Sequence, residues 1–144
     1  MKNPRVSVVV NNYNNEQYLS DCLEGLVNQT YDNIEIVIVD ALSTDNSRKI
    51  IDEYATKHKN IKTIYSESYI KYPAISYNLG FLNCTGDFIA INDPDDISLK
   101  TRIEKQLEFL LDNLNIDVVG SNVIEFNENL ERVIYTTVKE NVRN

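Results

Sequence analysis

Three carboxylates fall within four residues at positions 93–96, where the sequence reads Asp-Pro-Asp-Asp. They follow a short apolar run at residues 88–91, and a pattern of helical spacing begins after them. Carboxylates this close repel one another, so the segment predicts a positive partner, most simply a divalent cation that also binds a phosphate-bearing ligand. A structural alternative stays open, in which the acids form an ordinary turn and favour the N-terminus of the next helix.

One acidic loop supplies too few oxygens for a complete protein cage around an ion. Sites for Mg²⁺ or Mn²⁺ usually keep positions for water and substrate phosphates, so an incomplete set of carboxylates suits them. The sequence has no glycine-rich phosphate loop, and any phosphate must therefore be neutralised by metal and helix termini. The single histidine, His58, sits in a lysine-rich turn and gives no basis for a catalytic triad.

Three other polar segments could meet the same ligand. Tyr13 lies in an asparagine-rich segment that begins at Asn11, and its ring could stack on a base or pack on the first helix. Asp40 ends the second apolar run and could accept a hydrogen bond from a base or ribose, or cap the next turn. Lys71 is the one cation in residues 66–72 and could meet a phosphate or remain an exposed lysine.

The elements that must position these residues alternate between strand and helix. Apolar, β-branched runs predict four strands, at residues 6–10, 34–39, 61–65 and 88–91. Stripes of apolar residues at helical spacing predict a helix after each strand. This alternation predicts right-handed crossovers, a parallel sheet with helices on both faces, and polar loops that meet at the carboxyl edge of the sheet.

Local signals give finer expectations for the helices. Asn14 or Asn15 is expected to cap the first helix, and Ser98 is expected to cap the fourth. Pro73 suits the first turn of the third helix. One face of that third helix carries three apolar residues expected in the core: Ile75, Leu79 and Leu82.

By length the chain is a single domain, residues 1–144. Near its end, residues 117–119 predict a short strand, and residues 123–126 and 132–137 predict a hairpin around a loop at 127–131. The net charge of −8 comes without a basic block, which argues against a nucleic-acid partner. No apolar run approaches about 18 residues, so no membrane-spanning helix is expected.

The N-terminus shows no signal-peptide pattern, which favours a cytoplasmic location. Two cysteines, Cys22 and Cys84, are far apart in the sequence and each falls in a helical pattern. We therefore expect two reduced core thiols and no disulfide.

An ordered set of short motifs resembles the family 2 inverting glycosyltransferases. The set runs from about residue 6 to residue 111 in the family's order and spacing. It comprises Val6-Ser7-Val8-Val9-Val10 with Tyr13-Asn14, Tyr18-Leu19, Cys22-Leu23, Asn28-Gln29-Thr30-Tyr31, Ile36-Val37-Ile38-Val39-Asp40, Ser43-Thr44-Asp45, Asn78-Leu79-Gly80, Thr85-Gly86-Asp87-Phe88-Ile89-Ala90 and Asp93-Pro94-Asp95-Asp96. No single piece is specific, but the ordered set is a strong indication of the fold.

The resemblance implies a GT-A fold, which is an α/β, Rossmann-like, open and mostly parallel sheet flanked by helices, here followed by a C-terminal β-hairpin. It also implies a nucleoside-diphosphate-sugar donor, an inverting transfer, and a Mn²⁺ or Mg²⁺ ion held by a D-x-D element. Asp93 and Asp95 match that element, with Asp95 the principal metal ligand, and Tyr13 matches the residue that stacks on the base. The remaining predicted donor-site residues are Asn11, Asp40 and Lys71.

Several positions depart from the pattern that the resemblance sets. The usual Pro-Thr before Tyr-Asn is Asn11-Asn12, the usual second acid after the second strand is Ala41, the usual glycine is Leu42, and a frequent arginine is Tyr77. In the family, the catalytic base and the acceptor-binding elements lie beyond the part that this sequence spans. No catalytic base is therefore assigned from the sequence.

Three functions remain in competition. The first is the donor-binding domain of a glycosyltransferase, whose acceptor would be a glycan, a lipid-linked molecule or a protein. The second is a non-catalytic domain that binds a nucleotide sugar or a partner, and the departures at Ala41, Leu42 and Tyr77 favour it. The third is a nucleotidyltransferase, although such enzymes usually carry a glycine-rich basic signature after the first strand. A homodimer and attachment at the inner face of a membrane are compatible with the first function.

Overall fold

The computed structural model describes residues 3–126 and 132–136. The strands are β1 (Val6–Asn12), β2 (Ile34–Asp40), β3 (Ile61–Tyr65), β4 (Phe88–Asn92), β5 (Val123–Phe126) and β6 (Arg132–Thr136). The helices are α1 (Leu19–Val27), α2 (Ser47–Lys57), α3 (Pro73–Phe81) and α4 (Arg102–Asp112). The chain divides into two compact units, Met1–Ile103 and Glu104–Asn144. No helix in the described part is both long enough and apolar enough to cross a membrane.

The first unit is built on a parallel sheet with the strand order β3-β2-β1-β4. Every residue of β2 is buried, and so is every residue of β1 except the partly exposed Asn11. Strands covered on both faces need an almost continuous apolar sequence, which both of these strands have. The predicted parallel sheet is therefore confirmed, and its register places Asn12 beside Asp40 and Val10 beside Asn92.

Helices cover both faces of this sheet, as predicted. α3 lies on the face that carries Val9, because a Cβ added at Gly80 would stand 2.4 Å from Val9 Cγ1. α1 lies on the opposite face, where Asn92 Nδ2 donates a hydrogen bond to Cys22 Sγ at 3.3 Å. Val9 and Ile91 are register partners, so their side chains lie on the same face of the sheet. Asn92 follows Ile91 in β4, and its side chain therefore points to the opposite face.

Pro73 opens α3 as predicted, but the helix does not bury the predicted apolar face. Ile75 and Leu82 are exposed, whereas Ser76 and Gly80 are buried. These two small residues are four apart and so share one side of the helix. They let the helix backbone approach β1 closely, and the larger side chains lie on the other sides.

The predicted caps are wrong in both helices. α1 begins at Leu19 without a side-chain cap, because Asn14 and Asn15 make their amide hydrogen bonds to loop residues instead. α4 begins at Arg102, four residues after Ser98, which is too late for Ser98 to be its cap. The Ser98 hydroxyl is used elsewhere, below the acidic loop.

In the second unit, β5 and β6 pair antiparallel, which confirms the predicted hairpin. The predicted strand at 117–119 is wrong, because these described residues form no strand and Val118 is 85% exposed. An apolar pair alone does not make a strand when no neighbouring strand accepts its backbone hydrogen bonds. The predicted hairpin loop at 127–131 and the predicted last strand residue, 137, lie outside the described residues.

The buried carboxylate of Glu35 connects neighbouring strands at the amino edge of the sheet, which is opposite to the edge with the polar loops. Glu35 Oε1 accepts hydrogen bonds from Ser7 Oγ at 2.5 Å, from the Thr85 backbone nitrogen at 2.5 Å and from the Thr85 hydroxyl at 3.0 Å. Arg5 forms an ion pair with the other oxygen at 3.4 Å. Burial by itself raises the pKa of Glu35, but these donors and Arg5 lower it below its ordinary value. The cluster ties the start of β4 to β1 and β2.

Candidate functional site

The order of the strands changes direction next to β1. The chain passes from β1 to β2 and β3 on one side, then crosses back to place β4 on the other side of β1. In open α/β sheets, ligands bind at the carboxyl edge where such a reversal occurs. Here that position lies between the loop that follows Asn12, which contains Tyr13, and the acidic loop at 93–96 that follows Asn92.

The acidic loop holds its carboxylates at the surface. Asp93, Asp95 and Asp96 are exposed, while Pro94 between them is buried and restricts the backbone of the turn. Partial desolvation and then the charges of Asp95 and Asp93 raise the pKa of Asp96 above its ordinary value. A bound cation would relieve this repulsion, since an opposite charge favours the ionised form of each acid.

Asp93 has a protein partner that Asp95 lacks. The hydroxyl of Tyr77 on α3 donates a hydrogen bond to Asp93 Oδ1, whereas no hydrogen bond from the described residues reaches the Asp95 carboxylate. Desolvation, followed by the bond to Asp93 and the charges of the acids, raises the pKa of Tyr77. The hydroxyl therefore keeps its proton at neutral pH and stays a donor. One of the departures from the family pattern thus touches the acidic loop directly.

A buried polar cluster holds the acidic loop from below. Asn92 Nδ2 donates to the backbone oxygens of Asp93 at 2.8 Å and Asp96 at 3.0 Å. Asn92 Oδ1 accepts from Ser98 Oγ at 2.6 Å and from Arg102 Nη1 at 2.7 Å. Sequence reasoning missed this cluster, and the one available signal was a polar Asn92 at the end of an apolar strand. The loop is consequently fixed in shape before any ligand binds.

Both thiols are free, as predicted. Cys22 is buried under the acidic loop and donates from Sγ to the Asp93 backbone oxygen at 3.4 Å. Burial raises the pKa of the Cys22 thiol to about 12, with smaller contributions from the nearby acids. It is therefore a core thiol rather than a nucleophile. Cys84 is only partly buried and lies beyond the end of α3, so the prediction of a core thiol in a helix is wrong for this residue.

Tyr13 stands at the carboxyl edge with 41% of its surface exposed. Its ring lies 5.0 Å from the ring of Tyr69, centroid to centroid, with the planes tilted by 54°. Tyr69 comes from the loop after β3 and was not predicted to take part. Asn11 is also at this edge, and its Oδ1 is buried without a hydrogen-bond partner among the described residues. Such an unpaired acceptor is unfavourable until a donor reaches it.

Asp40 is fully buried and already occupied by this chain's own donors. Its Oδ1 accepts from the Ser43 backbone nitrogen at 3.0 Å and from Arg48 Nε at 2.8 Å, and its Oδ2 accepts from Asn12 Nδ2 at 2.9 Å. Desolvation raises the pKa of Asp40, but these bonds outweigh it and lower the pKa overall. The bond from Ser43 is the turn-capping alternative that the sequence left open. A base would have to displace one of these donors to reach the carboxylate.

Two neighbours of Asp40 are positions where the sequence departs from the family pattern. Leu42 has a φ of 71°, in the left-handed region that favours glycine. This explains why glycine is usual at that position, and holding a leucine there costs about 1–2 kcal/mol. Ala41 is buried and offers no side-chain hydrogen bond.

The loops after β1 and β2 are bonded to each other. Asn14 Oδ1 accepts from the Thr44 backbone nitrogen at 2.8 Å, and Asp45 Oδ2 accepts from the Glu16 backbone nitrogen at 2.9 Å. A cavity of about 380 Å³ opens at this junction, lined by Asn14, Asn15, Glu16, Gln17, Tyr18, Thr44 and Asp45. None of its lining residues comes from the acidic loop. We therefore place the candidate site at the strand reversal rather than in this cavity.

Lys71 lies on the surface of the protein. Its ammonium stands 5.4 Å from the centroid of the Tyr72 ring, and it has no ion pair with the described residues. The structure thus brings Tyr13, Asn11 and Asp40 to one edge of the sheet together with Asp93 and Asp95. Lys71 is an exposed cation in the loop that follows β3.

The described residues contain no group of three or more histidine, cysteine or acidic side chains that could hold a metal ion alone. Asp93 and Asp95 nevertheless suit a hard cation, because carboxylate oxygens are its preferred ligands and the loop carries excess negative charge. Two such ligands leave the other positions to water and phosphate oxygens. The donor set therefore fits Mg²⁺ or Mn²⁺ bound jointly with a diphosphate.

Comparison with known proteins identifies a family. The model of "Glycosyl transferase family 2" matches residues 7–143. The chain is 35% identical over 125 residues to the putative glycosyltransferase EpsE of Bacillus subtilis, covering 87% of this chain and 45% of that protein. It is 36% identical over 123 residues to the glycosyltransferase GlyG of Streptococcus pneumoniae, covering 85% and 40% respectively. The chain thus spans less than half the length of these curated relatives.

Solved structures agree with the fold. Residues 1–349 of TarS from S. aureus, solved in complex with UDP, superpose with a TM-score of 0.72 at 28% identity, covering 76% of this chain and 33% of that one. The mannosyltransferase PcManGT from Pyrobaculum calidifontis, solved with GDP-Man and Mn²⁺, superposes with a TM-score of 0.71 at 24% identity, with coverages of 76% and 33%. The predicted GT-A architecture is confirmed by these likenesses.

Proposed function

The chain belongs to glycosyl transferase family 2, and we propose that it is the donor-binding part of an inverting glycosyltransferase. In this proposal it binds a nucleoside-diphosphate sugar at the carboxyl edge of the sheet, between the ends of β1 and β4. The sugar is then transferred to an acceptor hydroxyl. We assign no residue of this chain to the acceptor site or to the base that deprotonates that hydroxyl.

The observation that carries the proposal is that two polar loops follow neighbouring strands at the strand reversal. An exposed aromatic ring, Tyr13, follows β1, and two exposed carboxylates, Asp93 and Asp95, follow the neighbouring strand β4. A base needs an aromatic surface to stack on, and a diphosphate needs a cation between it and the acids. The loops that meet the two requirements follow adjacent strands of one sheet, and adjacent strands lie about 5 Å apart. TarS, which resembles this chain in fold and sequence, was solved in complex with UDP, which supports the binding of a nucleotide by this fold.

Asp93 and Asp95 would hold the Mn²⁺ or Mg²⁺ ion in this proposal. When bound, such an ion stabilises the negative charge that develops on the departing nucleoside diphosphate. The protein's own contribution is to fix the acidic loop, through the buried hydrogen bonds of Asn92 to Ser98 and Arg102. Preorganised ligands avoid the free-energy cost of ordering the loop during the reaction.

On the other side of the site, Asn11 and Tyr13 would contact the nucleoside. The unpaired Oδ1 of Asn11 could accept a hydrogen bond from the ligand. Asp40 enters mainly through its bonds to Asn12 and Ser43, which fix the loops on either side of Tyr13. Contact between Asp40 and the base would require it to exchange one of these bonds. Lys71 would meet a phosphate by movement of its exposed side chain.

Nucleotide-dependent stabilisation tests the proposal. Thermal unfolding should be followed with UDP, GDP, CDP and dTDP, each with MnCl₂ and with EDTA. A ligand at 100 times its dissociation constant should stabilise the fold by roughly 2.7 kcal/mol. We expect one or more of the nucleotides to stabilise the wild type with Mn²⁺, and Asp95→Ala to lose that metal-dependent part. No stabilisation by any nucleotide under either condition would overturn donor binding.

A second candidate is a domain that binds a nucleotide sugar without transferring it. Ala41 and Leu42 favour this reading, because they stand where the family pattern has an acid and a glycine, and the neighbouring Asp40 is already occupied by donors of this chain. Incubation of the chain with radiolabelled UDP-GlcNAc or GDP-Man separates the two candidates. Release or transfer of the sugar supports the enzyme, whereas binding with no turnover supports the second candidate.

A further inference from the structure

Tyr77 links α3 to the acidic loop. Its hydroxyl donates to Asp93 Oδ1, and its ring stacks on Phe81 with the centroids 6.0 Å apart and the planes 26° from parallel. The stacking leaves the side chain little freedom, since both rings project from consecutive turns of one helix. The hydroxyl is therefore held at one place beside the loop.

The place of Tyr77 is fixed in turn by the seating of α3 on the sheet. Gly80, three residues later, lies so close to Val9 that a Cβ would stand 2.4 Å from Val9 Cγ1. Ser76, next to Tyr77, is fully buried on the same side of the helix as Gly80. Helix and sheet thus form a rigid link between the core of β1 and the carboxyl end of β4.

The bond makes the two exposed carboxylates different. Asp93 has one oxygen engaged by Tyr77 and one available, whereas the described residues leave the Asp95 carboxylate without a hydrogen bond. A tyrosine hydroxyl is a neutral donor, so it orients Asp93 without cancelling its charge. An arginine, which is frequent at this position in the family pattern, would add a positive charge beside the proposed cation. With Tyr77 the three carboxylates of the acidic loop keep their formal charge, and Asp93 gains a hydrogen bond that fixes its orientation.

We propose that Tyr77 is a positioning residue that sets the orientation of Asp93 toward a metal-bound diphosphate. This inference rests on the proposed donor binding and assigns a role that neither the family match nor the acidic motif supplies. Because Tyr77 acts through Asp93, its loss should weaken the metal-nucleotide complex while the nucleoside contacts at Tyr13 stay intact. Partners that orient a metal ligand from behind typically contribute about ten- to a hundredfold in metal affinity.

The test measures Mn²⁺ affinity at saturating UDP, with free Mn²⁺ counted by electron paramagnetic resonance, and UDP affinity in EDTA by calorimetry. Tyr77→Phe removes the hydroxyl and keeps the ring stacking. We expect it to weaken Mn²⁺ binding about tenfold and to leave UDP affinity in EDTA unchanged. Tyr54→Phe is the control, because it removes another tyrosine hydroxyl, which bonds the Ser20 backbone oxygen at 3.2 Å and the Glu24 carboxylate at 3.3 Å rather than the acidic loop.

A double variant distinguishes positioning from an independent or purely structural role. Tyr77→Phe should have little further effect in an Asp93→Asn background, since the acceptor of its bond has already changed. Full additivity of the two substitutions would overturn the inference, and so would a Tyr77→Phe protein that melts earlier but binds Mn²⁺ as the wild type does. Failure of the wild type to bind Mn²⁺ and UDP together would instead contradict the proposed function, and the role of Tyr77 would fall with it.

Discussion

Gly80 packs so closely on Val9 that the addition of one methyl group, in Gly80→Ala, tests how tightly α3 packs against β1. An ideal Cβ at position 80 would stand 2.4 Å from Val9 Cγ1 and 3.4 Å from Val39 Cγ2. Ordinary carbon contacts are about 3.5–4.0 Å, so the first distance is short by about 1 Å. Both neighbours are fully buried in the centre of the sheet, so Val9 cannot turn toward solvent. Gly80→Ala must therefore move α3 away from β1.

The size of the effect follows from two opposing contributions. Overpacking a core by a methyl group costs about 1–3 kcal/mol, whereas alanine is favoured over glycine inside a helix by about 1 kcal/mol. Because the first distance is so short, we place the overpacking cost in the upper part of its range, at about 2–3 kcal/mol, and expect a net loss of about 1–2 kcal/mol in the free energy of unfolding. For a chain of this length that corresponds to a melting temperature lower by about 3–7 °C.

Urea unfolding of four proteins checks this account: wild type, Gly80→Ala, Val9→Ala and the double variant. In the Val9→Ala background the clashing Cγ1 is gone, so Gly80→Ala should become neutral or stabilising by up to about 1 kcal/mol, which gives a coupling of about 1–3 kcal/mol. Gly120→Ala is the matched control, because an added Cβ there meets nothing within 4 Å. A Gly80→Ala protein as stable as the wild type, or an equal loss in both backgrounds, would refute the reasoning.

Two further predictions concern backbone strain and pH. Leu42→Gly should be more stable than Leu42→Ala by about 1 kcal/mol in urea unfolding, because only glycine adopts a φ of 71° without strain; the reverse order would contradict it. Glu35 has a lowered pKa in the folded state, so its contribution is present above its ordinary value of 4.5 and is lost as the pH falls through the folded value. Stability measured from pH 7 to pH 3 should therefore fall more steeply for the wild type than for Glu35→Gln, and parallel curves would argue against this linkage.

Much of the fold could be predicted because β1 and β2 carry an unambiguous pattern. Their continuous β-branched sequence is typical of strands covered on both faces, and strand–helix alternation then fixes a parallel sheet. The short run at 117–119 had the same residue types but no neighbouring strand, which a linear pattern does not reveal. The apolar stripe did not predict which face of α3 is buried, because the close packing of this helix depends on Ser76 and Gly80 rather than on large side chains.

The sequence predicted which loops form the candidate site, but it did not predict the hydrogen bonds within them. The acids and the aromatic residue that follow the predicted strands were expected to lie at the carboxyl edge of the sheet, and they do, since this placement follows from the topology alone. The bonds from Tyr77 to Asp93 and from Arg102 to Asn92 join residues 16 and 10 positions apart through tertiary packing, so no spacing rule indicates them. Side-chain amides were similarly ambiguous, because Asn14 bonds across to the loop after β2 instead of capping α1.

The central claim is that a nucleoside diphosphate binds at the carboxyl edge between β1 and β4. Titration of the ¹⁵N-labelled chain with UDP and MgCl₂, followed by amide chemical shifts, tests it most directly. We predict saturable shifts at residues 11–15 and 93–96, which move together with one dissociation constant. Shifts confined to the opposite edge, around Ser7 and Gly86, or no saturable shift with UDP or GDP, would contradict the claim.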